Sequence, residues 1–162
     1  DSLAAFHKVP WTNRAFHCPA YGGVVLTAAQ GPTVPVGSYA YNGLGTGTGL
    51  SGCFGLGPGW YRGSRTPSAV AEAQVKSPSQ MFAFMDARVF FNPWTGDDMG
   101  FCDTFIDYTG EERQLLRHGK AFNVTFCDGH VTAIPHPILF DPSKTWQHWN
   151  RDQEPHSEWW PR

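Results

Sequence analysis

The chain has 162 residues, with 12 basic and 14 acidic side chains and a formal net charge of −2. This length suits one domain with its own core, and the lack of a basic surplus argues against nucleic-acid binding. No apolar run approaches the roughly 20 residues that span a bilayer. The chain begins Asp-Ser-Leu-Ala-Ala, which is not a signal peptide, so we expect a mature or trimmed fragment.

Glycine and proline are abundant, at 18 and 13 residues, and they predict many loops and few helices. Cysteines stand at positions 18, 53, 102 and 127. They form no Cys-x-x-Cys pair, so a zinc knuckle is not expected. An even number permits disulfides, and buried free thiols are the alternative.

The first strand pattern is Ser38–Gly43, where Tyr39 and Tyr41 share one face and Asn-Gly predicts a turn. Residues 43–59 are dominated by glycine, and we expect a long surface loop. A phosphate-binding loop is the alternative, but it would need a lysine here and a following helix, which Pro58 would break.

Two elements are predicted between residues 66 and 91. Thr66 as the N-cap and Pro67 at the first helical position predict a short helix that ends near Val75. The apolar run 80–85 predicts a strand buried on both faces. Residues 88–91 would extend that strand or re-enter the sheet.

Residues 92–103 are predicted to form a loop. Its three carboxylates, Asp97, Asp98 and Asp103, are candidate ligands for a hard cation such as Ca²⁺. Their spacing differs from that of an EF-hand, so a solvated loop is the alternative. No other cofactor is predicted.

A hairpin is the clearest prediction in the chain. Apolar residues alternate from Phe122 to Phe126, which predicts a half-buried strand. Asp128-Gly129 suits a two-residue type I′ turn, which would place Val124 opposite Ala133. In that register apolar residues face apolar residues and polar residues face polar ones, so we expect a slip of one residue to be excluded.

The C-terminal residues 146–162 form a tail with four tryptophans: Trp146, Trp149, Trp159 and Trp160. Indoles of this kind could present flat faces to a sugar or a partner protein. Alternatively they could wrap back and cover the sheet. Two prolines limit helix formation, so we expect an extended tail that packs on a single domain spanning residues 1–162.

His118, nine residues and then Asp128-Gly129 resemble the motif that names the H-X9-DG pseudopilin-like family, the prepilin-type processing-associated proteins of planctomycete and verrucomicrobial type. Four further stretches resemble this family in the expected order: Phe16–Pro19, Ser38–Asn42, Ser77–Met81 leading to Asp86, and Trp149–Trp159. The resemblance therefore runs from about residue 16 to the end of the sequence.

The resemblance implies an α+β, pilin-like fold, in which a long N-terminal helix carries an antiparallel sheet. Such helices cross the membrane before assembly and then bundle in a type IV pilus-like filament or a type II secretion pseudopilus. The cleavage site and apolar helix of the family are absent from this sequence, so we expect the helix to be missing or replaced. The implied function is a non-enzymatic structural subunit in the periplasm or at the cell surface, which associates with itself or with other pilin-like subunits.

His118 and Asp128 also suggest an acid–base or metal pair. If His118 begins the strand and Asp128 lies at the turn, the strand separates the two by at least about 25 Å, at roughly 3.3 Å per residue. We therefore expect structural roles for His118, Asp128 and Gly129, with His118 bonded to a backbone group or a loop.

Cys127 and His130 would be cross-strand neighbours in the predicted hairpin. A metal site or a Cys–His nucleophile is conceivable there, but the sequence offers no third partner. No catalytic motif is present, so we expect that the chain is not an enzyme. The alternative function is an extracellular binding module that recognises a glycan or a protein through exposed aromatic residues.

Overall fold

The structure is a computed structural model, and it describes residues 13–14, 17–23, 25, 37–46, 54–57, 70–92, 96–100, 112–113 and 117–157. These residues form a four-stranded and a three-stranded antiparallel sheet, with short helices. The α+β class predicted from the sequence is confirmed at this level. Among the described helices, none combines the length and apolar character that a membrane crossing requires.

The strands are β1 (Tyr39–Tyr41), β2 (Phe82–Asp86), β3 (Val89–Asn92), β4 (Asp97–Gly100), β5 (Glu112–Arg113), β6 (Ala121–Phe126) and β7 (Val131–Pro135). The helices are α1 (His136–Leu139) and α2 (Pro142–Trp149), with single 3₁₀ turns at Glu72–Gln74 and Arg117–Gly119. The strand order is β1-β2-β6-β7 in the larger sheet and β4-β3-β5 in the smaller one.

The core lies on one face of the larger sheet, which we call the inner face. Ala40, Met85 and Val124 stand opposite one another in the strand register, and all three are buried. Helices α1 and α2 cover this face with Leu139 and Trp149, which belong to the same apolar cluster. The alternation in β6 therefore predicted its buried side correctly, since Phe122 and Val124 are both buried.

Tryptophan burial corrects the expected binding tail. Trp146 and Trp149 lie in α2 and are 2% and 0% exposed, so neither can present a flat face to a ligand. Trp149 instead meets the Phe82 ring edge-on, at 5.3 Å between ring centroids. Trp159 and Trp160 lie outside the described residues.

The tail begins as a helix because its first turn is well capped. Asp141 Oδ1 accepts a hydrogen bond from the Ser143 backbone N–H at 3.0 Å, and Pro142 occupies the first helical position. The expectation of an extended tail over residues 146–162 is therefore wrong for residues 146–149, which lie in this helix. Within it, Trp146 and Trp149 are buried in the core.

The hairpin register differs by one residue from the prediction. Val124 pairs with Thr132, where Ala133 was expected. The Gly129 N–H donates to the Phe126 carbonyl at 3.0 Å, and within this turn only Gly129 has a positive φ, of 93°. Asp128 therefore does not take the left-handed conformation that a type I′ turn demands, and the glycine follows the turn as a bulge.

The edge position of β7 explains why the apolar pattern failed to fix this register. β7 is the last strand in the larger sheet, and Val131, Thr132 and Ala133 are all exposed. A strand segment exposed on both faces gains little from one register over the other, and in β7 only Ile134 packs against the core. The turn decided the pairing.

Three further elements differ from their predictions. Phe84 in β2 is 50% exposed, so the strand is not buried on both faces. β3 does not extend β2 but pairs with β4 and β5, and β4 lies within the expected loop 92–103. The helix expected before Val75 is a 3₁₀ turn at Glu72–Gln74, and Thr66 and Pro67 lie outside the described residues.

The glycine-rich segment is buried where the structure describes it, although a surface loop was expected. The backbones at 42–44 and 54–57 run side by side, with Leu56 N–H donating to the Asn42 carbonyl at 2.8 Å. A Cβ atom on Gly45 would lie 2.6 Å from the Gly55 nitrogen. Glycine is needed here because the two backbones touch.

Asn42 joins this segment to the core. Its side chain is fully buried, and Nδ2 donates to the carbonyls of Phe82 at 2.8 Å and Trp149 at 2.9 Å. Its Oδ1 accepts the Gly45 backbone N–H at 3.1 Å. One amide thus ties β2, the end of α2 and the glycine-rich segment together, where the sequence had suggested only an Asn-Gly turn.

Replacement of Asn42 by alanine should destabilise the protein by about 3 kcal/mol, because it leaves buried carbonyl and N–H groups without partners. Urea denaturation followed by circular dichroism measures this loss. Gln147→Ala, on the exposed side of α2, is the matched control and should change stability by less than about 0.5 kcal/mol. A loss below about 1 kcal/mol for Asn42→Ala would contradict the structural role.

Candidate functional site

Three chemically active side chains from distant parts of the chain meet at one end of the larger sheet. They are Cys18, Asp86 and His118, and their ligand atoms all lie within 4.8 Å of one another. Cys18 Sγ is 3.2 Å from His118 Nε2, and Asp86 Oδ1 is 3.5 Å from the same nitrogen. We call these three residues the Cys–Asp–His cluster.

Asp86 is positioned by the sheet. It ends β2 and follows Met85, whose side chain is in the core, so its own side chain points to the opposite, outer face. Its Oδ2 accepts the Asn123 backbone N–H from β6 at 2.7 Å. Although it lies on the outer face, Asp86 is only 2% exposed, because the segments that carry Cys18 and His118 cover it.

His118 is positioned by an unusual turn rather than by a strand. His118, Gly119 and Lys120 have φ values of 49°, 70° and 71°, so three successive residues occupy the left-handed region. Residues other than glycine are strained there, by about 1 kcal/mol each. The expected strand begins only after this turn, at Ala121.

Contacts on both sides hold the turn in this strained form. The preceding residue, Arg117, is 8% exposed, and its Nη2 donates to the Ala87 carbonyl. The Lys120 N–H donates to the Arg117 carbonyl at 3.0 Å, and the Lys120 carbonyl accepts the His136 N–H at 3.2 Å. The imidazole is thereby directed toward Asp86.

Cys18 is buried, at 3% exposure, and it is a free thiol. Its backbone N–H donates to Ser38 Oγ at 2.9 Å, and the Tyr21 N–H donates to its carbonyl at 2.9 Å. A turn follows it at residues 19–20. Its pairing with His118 was missed, because no local pattern links residues so far apart in the chain.

The cluster does not have the geometry of a catalytic triad. In a triad the nucleophile and the carboxylate bind opposite nitrogens of the imidazole ring. Here the thiol and the carboxylate both face Nε2. Cys18 is also too deeply buried to contact a large substrate. The three side chains point to one common position and are not arranged in series for proton transfer.

Three buried polar atoms in and beside the cluster lack hydrogen-bond partners among the described residues. Asp86 Oδ1 makes no hydrogen bond within the described part of the chain, and neither do Nε and Nη1 of Arg117. Burial raises the pKa of the nearby Tyr39 hydroxyl, Coulombic interactions with Cys18 and Asp86 raise it further, and Arg117 opposes them. Tyr39 therefore contributes a neutral hydroxyl to these surroundings.

Asp128 and Gly129, the other half of the sequence motif, serve the hairpin turn. Asp128 Oδ1 accepts the His130 backbone N–H at 3.2 Å and lies 2.7 Å from His130 Nδ1. The structure thus gives His118 and Asp128 separate partners. His118 was expected to bond a backbone group or a loop; it contacts the thiol of Cys18, which lies in a loop, and it also faces the Asp86 carboxylate.

Cys127 and His130 are not paired across the hairpin, because the turn places Phe126 opposite His130. His130 stacks on Phe126 with 4.0 Å between ring centroids. Burial, followed by the charge of Asp128, raises the pKa of the Cys127 thiol, which disfavours the reactive thiolate. The suggested Cys–His nucleophile therefore finds no support at this hairpin.

The remaining predicted sites fall largely outside the described residues. Asp97 and Asp98 lie in β4, but their side chains and all of Asp103 are not described, so the calcium site stays a prediction. Cys18 and Cys127 are free thiols, which excludes a disulfide at either. Cys53 and Cys102 are also outside the described ranges.

Comparisons with protein-family models, with curated proteins and with solved structures found no match to this chain. A function must therefore be argued from the contacts of the chain itself and from the resemblance of its motifs.

The Asp128 carboxyl should titrate below its ordinary pKa, mainly because it accepts the His130 backbone N–H and also the His130 side chain. Since the folded-state pKa is lowered, the associated stability is present above the unfolded pKa and is lost as pH falls through the folded pKa. Carboxyl NMR titration should show His130→Ala raising the pKa only part of the way, because the backbone N–H remains.

The Asp141 carboxyl is the internal control for this titration. Its pKa is lowered chiefly by the Ser143 side chain, so His130→Ala should leave it unchanged. If the Asp128 pKa were the same in the His130→Ala variant as in the wild type, the imidazole contact would be absent in solution.

Proposed function

We propose that this chain is a non-enzymatic structural subunit of a pilus-like extracytoplasmic assembly, such as a type II secretion pseudopilus or a type IV pilus-like filament. The observation that carries the proposal is that each of the five stretches resembling the H-X9-DG family contacts at least one of the others. Side chains that an enzyme would direct into an open cavity are used here to join segments of the chain.

Contacts of the first stretch illustrate this framework. The Cys18 N–H bonds Ser38 in the second stretch, and its thiol faces His118, which in turn lies beside Asp86. Asn42, also in the second stretch, bonds the Trp149 carbonyl at the start of the last one. These contacts give the domain a fixed shape, which a repeating assembly requires of its subunits.

The last stretch is tied down in the same way. Asn150 is fully buried, and its Oδ1 accepts the Thr46 N–H at 2.9 Å. The Arg151 N–H donates to the Phe54 carbonyl at 2.8 Å, and the Arg151 carbonyl accepts the Lys76 N–H at 2.8 Å. The polar residues of this stretch thereby serve the fold.

The outer face of the larger sheet supplies a surface for association. Tyr41, Phe84, Thr125 and Val131 form one row across all four strands. Phe84 is 50% exposed and Val131 is 60% exposed, and the row contains no charged side chain. The inner face is already closed by α1 and α2, so we assign this row to contact with a second copy or another pilin-like subunit.

A neutral apolar row suits contact between identical copies. A two-fold contact places the same patch on both subunits, so it needs no complementary charge. The adjoining edge strand β7 also offers backbone groups for pairing. The resemblance supports a periplasmic or cell-surface location, with membrane contact only through an N-terminal helix.

The alternative of a glycan- or protein-binding module has lost two of its four aromatic candidates. Trp146 and Trp149 are buried in the core. Trp159 and Trp160 are outside the described residues.

Phe84→Ser should weaken self-association of the chain by about 30-fold. Burying the exposed half of this ring stabilises a contact by about 1 kcal/mol, and a two-fold contact contains it twice. Sedimentation velocity over a range of concentrations measures the change. Ile138→Ser is the matched control, because Ile138 is also exposed, at 40%, but lies on α1 and should leave association unchanged.

A wild-type chain that stays monomeric up to millimolar concentration, alone and with other pilin-like subunits, would count against the proposal. Equal effects of Phe84→Ser and Ile138→Ser would show that association does not use the outer face.

The gene offers a separate test. We expect the coding sequence upstream of Asp1 to contain a prepilin peptidase site followed by a long apolar helix. Coexpression with a prepilin peptidase should then yield a shortened product by mass spectrometry. An upstream region without this site and helix would exclude assembly by the pilin route.

A further inference from the structure

The Cys–Asp–His cluster brings one sulfur, one nitrogen and one oxygen ligand to a common point. From this convergence we infer that Cys18, Asp86 and His118 bind one divalent transition-metal ion, with Zn²⁺ as the representative. The inference is independent of the proposed role as a structural subunit.

The distances fit tetrahedral coordination. Zinc binds sulfur at about 2.3 Å and nitrogen or oxygen at about 2.0–2.2 Å. Tetrahedral angles then place sulfur about 3.6 Å from nitrogen, and nitrogen about 3.4 Å from oxygen. The observed separations are 3.2 Å between Cys18 Sγ and His118 Nε2 and 3.5 Å between that nitrogen and Asp86 Oδ1. Small side-chain shifts would complete the geometry.

The lack of a hydrogen bond to one buried carboxylate oxygen is a second indication of a ligand. Asp86 is 2% exposed, yet its Oδ1 has no hydrogen-bond partner among the described residues. His118 Nε2 carries at most one proton, so it can donate to the thiol sulfur or to the carboxylate, but not to both. A metal ion at their centre would satisfy all three ligand atoms together.

Neighbouring groups already orient the ligands. The Asn123 N–H holds Asp86 Oδ2, and the Ser38 hydroxyl accepts the Cys18 N–H. Fixed outer contacts of this kind are what metal ligands require. The His118 side chain is 29% exposed, which gives a metal ion access from solvent.

The ligand set points to the class of metal. A thiolate and an imidazole favour Zn²⁺ and similar ions over Ca²⁺ or Mg²⁺, which prefer oxygen ligands. Binding would replace the thiol proton, which is released to solvent. The thiolate and the carboxylate then balance the two charges of the ion, and water can take the fourth position.

The bound ion would act as a clip. It would join the segment around residue 18, the end of β2 and the turn before β6, which are far apart in the sequence. An ion that binds only the folded chain stabilises it by mass action. It would also hold the left-handed turn at His118 in place.

The test is a titration of the full chain, freed of metal by a chelator, with CoCl₂ and with ZnCl₂. We expect one Co²⁺ per chain, a near-ultraviolet thiolate-to-cobalt absorption band and strong visible bands typical of tetrahedral cobalt. Calorimetry with Zn²⁺ should give the same stoichiometry, and Zn²⁺ should raise the Tm.

Ligand variants locate the site. His118→Asn removes the imidazole but keeps a side chain that tolerates the left-handed turn, and it should weaken binding by at least about 100-fold. Cys18→Ser should abolish the thiolate band. His130→Asn and Cys127→Ser are the matched controls, and both should bind Co²⁺ as the wild type does.

A buried-site variant can fail by unfolding, so the test includes a chain that keeps Cys18 and replaces the other three cysteines, Cys53, Cys102 and Cys127, by serine. This chain should retain the absorption band. Three results would overturn the inference: no saturable binding of one ion per chain by the wild type, unchanged affinity in His118→Asn, or loss of the band in Cys127→Ser with retention in Cys18→Ser.

Discussion

The buried amide of Asn42 is the contact on which the rest of the domain depends. It links β2, the end of α2 and the glycine-rich segment through three hydrogen bonds. Those elements cannot shift independently, because any shift would leave polar groups unpaired in the core. The helical cover therefore stays on the inner face of the sheet, and the glycine backbones at Gly45 and Gly55 stay in contact.

The outer face of the larger sheet is covered at one end and exposed at the other. At one end, the turns that carry Cys18 and His118 cover Asp86 and make it a buried carboxylate. At the other end, Phe84 and Val131 remain open to solvent. The same face thus offers a compact group of metal-type ligands and, beside it, an apolar row suited to another protein. A metal ion bound at the Cys–Asp–His cluster would hold the two covering segments in place and would leave Phe84 and Val131 exposed.

This division agrees with a structural rather than a catalytic role. The thiol and the carboxylate both lie next to the same imidazole nitrogen, Nε2 of His118. This arrangement does not support a proton relay. The strain at His118 is compensated by contacts of Arg117 and Lys120 on either side. Strain at such a position often serves a ligand, and here it directs the imidazole toward two groups that need a common partner.

Local patterns were reliable for β1, β6 and the hairpin, but not for the helix expected before Val75 or the loop expected at 92–103. Alternation from Phe122 to Phe126 determined which side of β6 is buried, because a strand side chain has only two directions. Tyr39–Tyr41 and the existence of the hairpin followed equally well. The hairpin register did not follow, because Val131 and Ala133 of the edge strand β7 are exposed and do not indicate which face is buried. The Gly129 bulge set the pairing.

The Cys–Asp–His cluster was beyond local reasoning for a different reason. Cys18 and Asp86 lay within stretches that resembled a family, and His118 began its motif, but nothing in their spacing shows that they meet. Only the tertiary structure brings them together, because it covers one end of the outer face with two turns. The sequence by itself determined the α+β class, the main strands and the turn residues. Tertiary packing decided which tryptophans are buried, which sheet face stays open and where the thiol, carboxylate and imidazole converge, since these depend on contacts between residues far apart in the chain.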